Sequence, residues 1–173
     1  MYPKAYIDYL VYFHGARDFF ECHEVLEEHW KEEGQKNDYW VGLIQVAVAL
    51  YHQRRRNYRG ANRMINRALM LLEQEKKAIH SLGIDYHAFI EELQKRKQEI
   101  SKEQSYTDMN IPLHDQALRD QCIQICNDRG NQWGQKSQLD NDYLIHKHAL
   151  RDRQDVIDER NYQKKLRKRV RKE

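Results

Sequence analysis

From Phe19 to Trp30 the chain reads FFECHEVLEEHW. On a helix of about 3.6 residues per turn, Phe20, His23, Glu27 and Trp30 fall on one stripe with Phe19 and Leu26 beside it. Ionisable groups therefore interrupt a face that otherwise reads as core, and this interruption constrains both the fold and the function.

The stretch sits in a regular helical pattern. Pro3 suits a first helical turn, and Tyr6, Ile7, Tyr9, Leu10 and Phe13 recur at helical spacing until Gly15 offers a stop. Asp18 followed by Glu21 forms a capping box that starts the second helix, which should fade near Gly34. Asn37 or Asp38 can cap a third helix carrying Trp40, Leu43, Ile44, Ala47, Val48, Leu50 and Tyr51, apolar around more than half its circumference and so expected at the centre. After a break around Asn57 to Gly60, a fourth helix with Ala61, Ile65, Ala68 and Leu72 on one face is expected to end at Gly83. Asp85 caps a fifth segment with a narrower stripe of Phe89, Ile90, Leu93 and Ile100.

From Ser101 to Leu113 the pattern dissolves, which predicts a linker. Beyond it lie short apolar clusters among many charges, Leu118 with Cys122 and Ile125, Tyr143 to Ile145, and Val156 with Ile157. No strand-like alternation occurs. The predicted fold is all-α, an up-and-down bundle of four to five helices over residues 1–103, followed by a linker and a charged, partly helical extension over 104–173.

Composition narrows the classes further. With 33% charged residues in 173, the helices need wet outer faces, while Tyr and Trp supply bulk for the core. No apolar run approaches the roughly 20 residues of a membrane span, and MYPKAYIDYL lacks the features of a secretory leader. Three cysteines, an odd number, argue against a disulfide framework, so a cytoplasmic location is expected. The net charge of +3 is too small to imply a nucleic-acid partner by itself, but the end of the chain carries KKLRKRVRK.

Side chains four apart on a helix are neighbours, so His23 and Glu27 can face one ion or bond each other. HEVLE also resembles the zinc-peptidase pattern HExxH, with Glu27 in place of the second histidine. No Glu-x-x-His spacing occurs anywhere, which removes a carboxylate-bridged di-iron bundle. Gln45 and His52, two turns apart on the third helix, complete a candidate polar centre of His23, Glu24, Glu27, Gln45 and His52. Such a centre suits a structural network, a divalent metal held by His23, Glu27 and His52, or a small polar ligand. Glu24, Glu28 and His29 are expected to face water. A second candidate metal set is Cys122, Cys126, His146 and His148, two thiolates and two imidazoles. The run Lys164–Lys172 can attract a phosphate backbone or an acidic partner.

RDFFECHEVLEEHW followed by GLIQVAVALYHQRRRNYRGA resembles the family known as domain of unknown function 309, over about Tyr6 to Leu72. The resemblance implies an all-helical up-and-down bundle, and its signature positions fall on Phe20, His23, Glu24, Glu27, Trp30, Gln45, His52, Asn57, Gly60 and Ala61. Arg56 departs from the pattern, which commonly has glycine before the Asn. The C-terminal third lies outside the motif and looks like the extension of a bacillus-type subset.

The first functional expectation is a binding or interaction module rather than an enzyme, with no certain cofactor, an unknown protein partner, no membrane contact and a possible homo-oligomer. The alternatives are a metal-dependent hydrolase in which His23, Glu27 and His52 hold the ion and Glu24 or Glu28 activates water, and RNA or ribosome association through the basic tail. Gly60 and Ala61 have a packing explanation, small residues that let the fourth helix begin close to a neighbour.

Overall fold

The computed structural model describes residues 1–150 and 154–170. Its helices are α1 (Lys4–His14), α2 (Phe19–Glu32), α3 (Asp38–Arg54), α4 (Tyr58–Leu72), α5 (Lys76–Ser81), α6 (Tyr86–Ser101), α7 (Gln116–Asp128), α8 (Asp142–Ile145), α9 (Lys147–Leu150) and α10 (Gln154–Val170). Among the described residues the fold is all-α, with one isolated bridge between Ile84 and Leu113. No helix there is long and apolar enough to cross a membrane.

Side-chain caps set several of the helix starts. Asp18 accepts from the Glu21 N–H, Asn57 from Gly60, Asp85 from Ala88 and Asp115 from Leu118, each removing one unpaired donor of a first helical turn. Asn57 thus begins α4 three residues earlier than the apolar pattern does. The fourth helix also stops at Leu72 instead of reaching Gly83. A turn at Glu73–Glu75 redirects the chain into the short α5, whose Ile79 is then fully buried, and Gly83 at φ +78° turns it again.

Successive helices α1 to α4 pack neighbour on neighbour, α6 lies on α4, and α7 returns to α1. α3 is the centre, burying Trp40, Leu43, Val46, Ala47, Ala49 and Leu50 from all sides. Each of its large apolar side chains contributes about 1.5–3 kcal/mol on removal from water. Tyrosines stitch α1 to its surroundings: the Tyr9 hydroxyl donates to the Leu43 carbonyl at 2.7 Å, and that of Tyr6 to the Leu82 carbonyl at 2.7 Å.

The core does not stop at residue 103. The segment 101–113 is non-helical past α6, as its composition suggests, but Tyr106, Met109 and Ile111 are buried in the same apolar cluster as α1 to α4, and so are Leu118, Cys122 and Cys126 of α7. The joint is His14, which is fully buried. Its Nδ1–H donates to the Leu10 carbonyl at 2.8 Å and its Nε2 accepts the Ile111 N–H at 2.9 Å, so the imidazole is neutral. Its ring stacks on Trp133 at 4.0 Å.

Arg17, at φ +56°, adds a second tie. Its guanidinium donates to the carbonyls of Met109 (2.7 Å) and Gln135 (2.9 Å) and to Asn110 Oδ1 (2.9 Å), so a buried cation closes loops that the helices leave open. Arg96 serves in the same way between Gln53 Oε1 and the Thr107 carbonyl.

Burial pushes the His14 imidazole from 6.5 down to about 3. Because the unfolded chain protonates first, the stability that neutral His14 supplies is complete above pH 6.5 and is lost as pH falls toward 3, at up to about 1.4 kcal/mol per pH unit. Urea unfolding at intervals between pH 7 and pH 4 should show this slope, and His14→Gln should be less stable at pH 7 but visibly flatter across the same range.

Candidate functional site

Three elements enclose a cavity of about 200 Å³: Phe19, Phe20 and His23 from α2, Val48, Tyr51, His52 and Arg55 from α3 and the residue after it, and His148 from α9. The capping Asp18 starts α2 so that Phe19 turns inward and Phe20 and His23, one turn apart, face the space over α3. The Tyr51 ring forms the floor, 6.2 Å from Phe20 and perpendicular to the His148 ring at 5.5 Å. Apolar walls and a rim of imidazoles with one guanidinium result.

Hydrogen bonds assign the rings. The Tyr51 hydroxyl accepts the His148 backbone N–H at 3.1 Å and donates to His148 Nδ1, which leaves the proton of that imidazole on Nε2. Asn57 uses Oδ1 to cap α4, so its amide nitrogen faces His52 and donates to Nδ1 at 3.2 Å. His52 is therefore also neutral with Nε2–H as its donor. Burial lowers its pKa first, and the neighbouring Arg55, His148 and Arg63 lower it further.

His23 faces the other way electrically. Its Nε2 lies 2.8 Å from Glu27 Oε2 and its Nδ1 3.3 Å from Glu24 Oε1, while Lys31 holds the second oxygen of Glu27 at 2.9 Å. Partial burial would raise the Glu27 pKa, but the Lys31 hydrogen bond and the nearby His23 charge bring it below the usual carboxylate range. Glu24 and Glu27 line an open acidic cleft on the outside of α2 with Glu21, Glu28 and Glu32.

Lys147 fixes α9 in place. Its ammonium, largely buried, sits 2.7 Å from Asp18 and 2.9 Å from Glu21. Burial alone would lower its pKa, yet the bonds to the two carboxylates raise it. The same Asp18 that caps α2 thus anchors the segment that supplies His148.

The structure brings His23 and His52 to one cavity with Phe20 and leaves other expected members elsewhere. Gln45 is buried away from it, and its Oε1 has no hydrogen-bond partner. No three His, Cys, Asp or Glu side chains among the described residues are grouped to hold a metal ion. In the set His23, Glu27 and His52, Glu27 is drawn outward to Lys31 while the two imidazoles line the cavity. In the set Cys122, Cys126, His146 and His148, both cysteines are core residues of α7, Cys126 facing Gly15, while His148 docks on Tyr51.

Trp30 is half-buried against the core and its Nε1 lacks a partner. Ala61 is fully buried, but Gly60 makes room for something nearer than another helix, since a Cβ there would meet the Asn57 amide at 2.7 Å. His29, expected in water, packs its ring edge on Trp40 at 5.2 Å. Lys164 and Lys165 are exposed on α10, whereas the side chains of Val156 and Ile157 and those from Lys168 onward lie outside the described residues. Sequence spacing missed His14, Arg17 and Lys147, single residues at helix ends whose partners lie about 100 residues away.

The family model for a domain of unknown function, DUF309, matches residues 6–64. The uncharacterized protein YpuF of Bacillus subtilis (strain 168) is 47% identical over 173 residues, 99% of each chain. The chain belongs to the DUF309 family. No solved structure matches it. The family match contains the α2 and α3 walls of the cavity, whereas α9 with Lys147 and His148 lies beyond it and within the span shared with the Bacillus subtilis relative.

Replacing Lys147 by Ala removes the ammonium that two carboxylates hold. Amide exchange across residues 144–150 should accelerate by about 10-fold, the signature of local opening, while α1 to α4 keep their protection. Unchanged exchange in 144–150 would show that Tyr51 and the apolar contacts of Leu144 and Ile145 suffice.

Proposed function

We propose that the protein is a binding module whose ligand site is the cavity between α2, α3 and α9. One observation carries the reading: an aromatic and aliphatic floor of Phe19, Phe20, Val48 and Tyr51 is ringed by His23, His52, His148 and Arg55. Apolar walls with a few placed polar groups are the usual make-up of a small-molecule site. At about 200 Å³ the space is below the roughly 300–1,000 Å³ of drug-sized sites, so the occupant is a single small molecule. A hydrolase is not favoured, because Glu27, which would help hold its ion, is committed to His23 and Lys31 on the outer face. Three free cysteines fit a cytoplasmic setting.

The test is to titrate the 15N-labelled protein with small aromatic compounds, alongside Val48→Phe, which adds bulk at a half-buried position lining the space. Saturable shifts confined to α2, the end of α3 and α9, abolished in Val48→Phe, are expected. Shifts scattered over the surface, or binding that survives the substitution, would remove this reading.

A second reading rests on α10, whose residues 158–165 and 167 are all exposed. Residues 164–173 include seven Lys or Arg and one Glu, a density suited to the phosphates of RNA. A helix of this length is marginal without packing partners, so a polyanion would stabilise it. Binding to a single-stranded RNA probe should weaken steeply with salt and vanish when the chain is cut before Lys164. Salt-independent binding, or binding by the shortened chain, would count against this reading.

A further inference from the structure

We infer that the cavity takes a small monocarboxylate with a flat apolar body, the carboxylate on Arg55 and the body over Tyr51 against Phe20 and Val48. The inference rests on the cavity being a ligand site and adds what enters it. Three observations lead there.

The polar groups available at the rim are donors. Arg55 Nε is buried and has no hydrogen-bond partner, and its guanidinium carbon stands 5.6 Å from the Tyr51 ring centroid, at the edge of the floor. His52 has used Nδ1 as an acceptor from Asn57 and keeps Nε2–H as a donor. The Tyr51 oxygen is occupied by His148 on both counts, donor and acceptor. A ligand group that only accepts fits such a rim, and a group that must donate, an ammonium or amide N–H, finds little to receive it.

The charge of Arg55 is also unanswered. Among the described residues no carboxylate pairs with it, and the carboxylates around the cavity are already engaged, Glu27 with Lys31 and His23, and Asp18 and Glu21 with Lys147. An anion entering here gains a charge-assisted bond, which in planar carboxylates can be bidentate to an arginine.

Finally, the walls choose the kind of anion. Phe19, Phe20, Val48 and the Tyr51 ring offer no hydrogen bonds to the extra oxygens of a phosphate, whose desolvation would be unanswered. One carboxylate at the rim with an aromatic or branched apolar body behind it leaves no polar atom against those walls.

The experiment compares benzoate, benzamide and benzylamine, one ring carrying an anionic, a neutral and a cationic group, by NMR titration of the full chain and of Arg55→Gln. Benzoate is expected to bind at least tenfold more tightly than benzamide, with benzylamine weakest, and Arg55→Gln to lose tenfold or more for benzoate with little change for benzamide. The wild-type ratio needs no variant, so it decides even if Arg55→Gln is poorly folded, and Arg55→Lys, which keeps the charge without the planar fork, should lie between. Equal affinity for benzoate and benzamide, or undiminished benzoate binding in folded Arg55→Gln, would overturn the carboxylate and leave the cavity as a site for neutral ligands. No binding of any of the three would overturn this inference together with the reading it rests on.

Discussion

The neutral imidazole of His14 holds the last turn of α1 to the 106–113 segment, and much of the remaining structure follows from that joint. With Nε2 accepting from Ile111, the segment cannot leave the core without leaving the buried His14 Nε2 unpaired. Met109 and Tyr106 are kept inside by the same placement. Tyr106 then lies at 5.9 Å from Phe19, edge to face, and the Arg54 guanidinium stands 4.6 Å from the Phe19 centroid. Phe19 is itself a wall of the cavity. A line of contacts therefore runs from a buried histidine on α1, through a segment that looks like linker, to the cavity.

Buried arginines give that line its rigidity. A guanidinium taken out of water costs several kcal/mol unless its donors and charge are answered. Arg17 answers with carbonyls from three separate segments, and Arg54 with the Arg17 carbonyl at 2.7 Å and two aromatic faces. Two donors of Arg54, Nε and Nη2, find no acceptor, so the ring contacts carry part of the compensation. Because the Met109, Asn110 and Gln135 acceptors of Arg17 and the Tyr106 ring against Arg54 lie past residue 105, shortening the chain at the apparent linker would expose these cations along with an apolar face.

What was legible in the sequence follows the range of the interactions. Helices α2 and α6 can be read from spacing and caps and α1 and α3 from spacing, Asn37 making no side-chain cap, because both signals are local, and the His23–Glu27 contact is a local pair four residues apart. The end of the fourth helix was not legible, since Leu72, Leu71 and Ile79 continue an acceptable period and only burial of Ile79 rewards the break. The 101–113 segment reads as linker because its polar residues face out, while Tyr106, Met109 and Ile111 enter the core singly and without period. His148 is the sharpest case: proximity to other ligating residues suggested a partner in Cys122 and Cys126, yet Lys147 beside it decides its place by pairing with Asp18.

The cavity is composite in a way that couples its parts. Its floor and two walls come from α2 and α3, which lie in the stable core, whereas His148 arrives on a four-residue helix held by one ammonium, one tyrosine hydroxyl and two apolar side chains. If only a fraction of molecules has α9 docked, a ligand that touches His148 binds with its intrinsic constant divided by that fraction. Linkage then requires the ligand to strengthen the docking of α9 by the factor by which docking strengthens the ligand. Residues 142–150 and Arg55 are in this sense two halves of one site. In the proposed site the arginine would supply the charge that selects an occupant, and the Lys147 pair would set how much of the time the wall that completes the cavity is present.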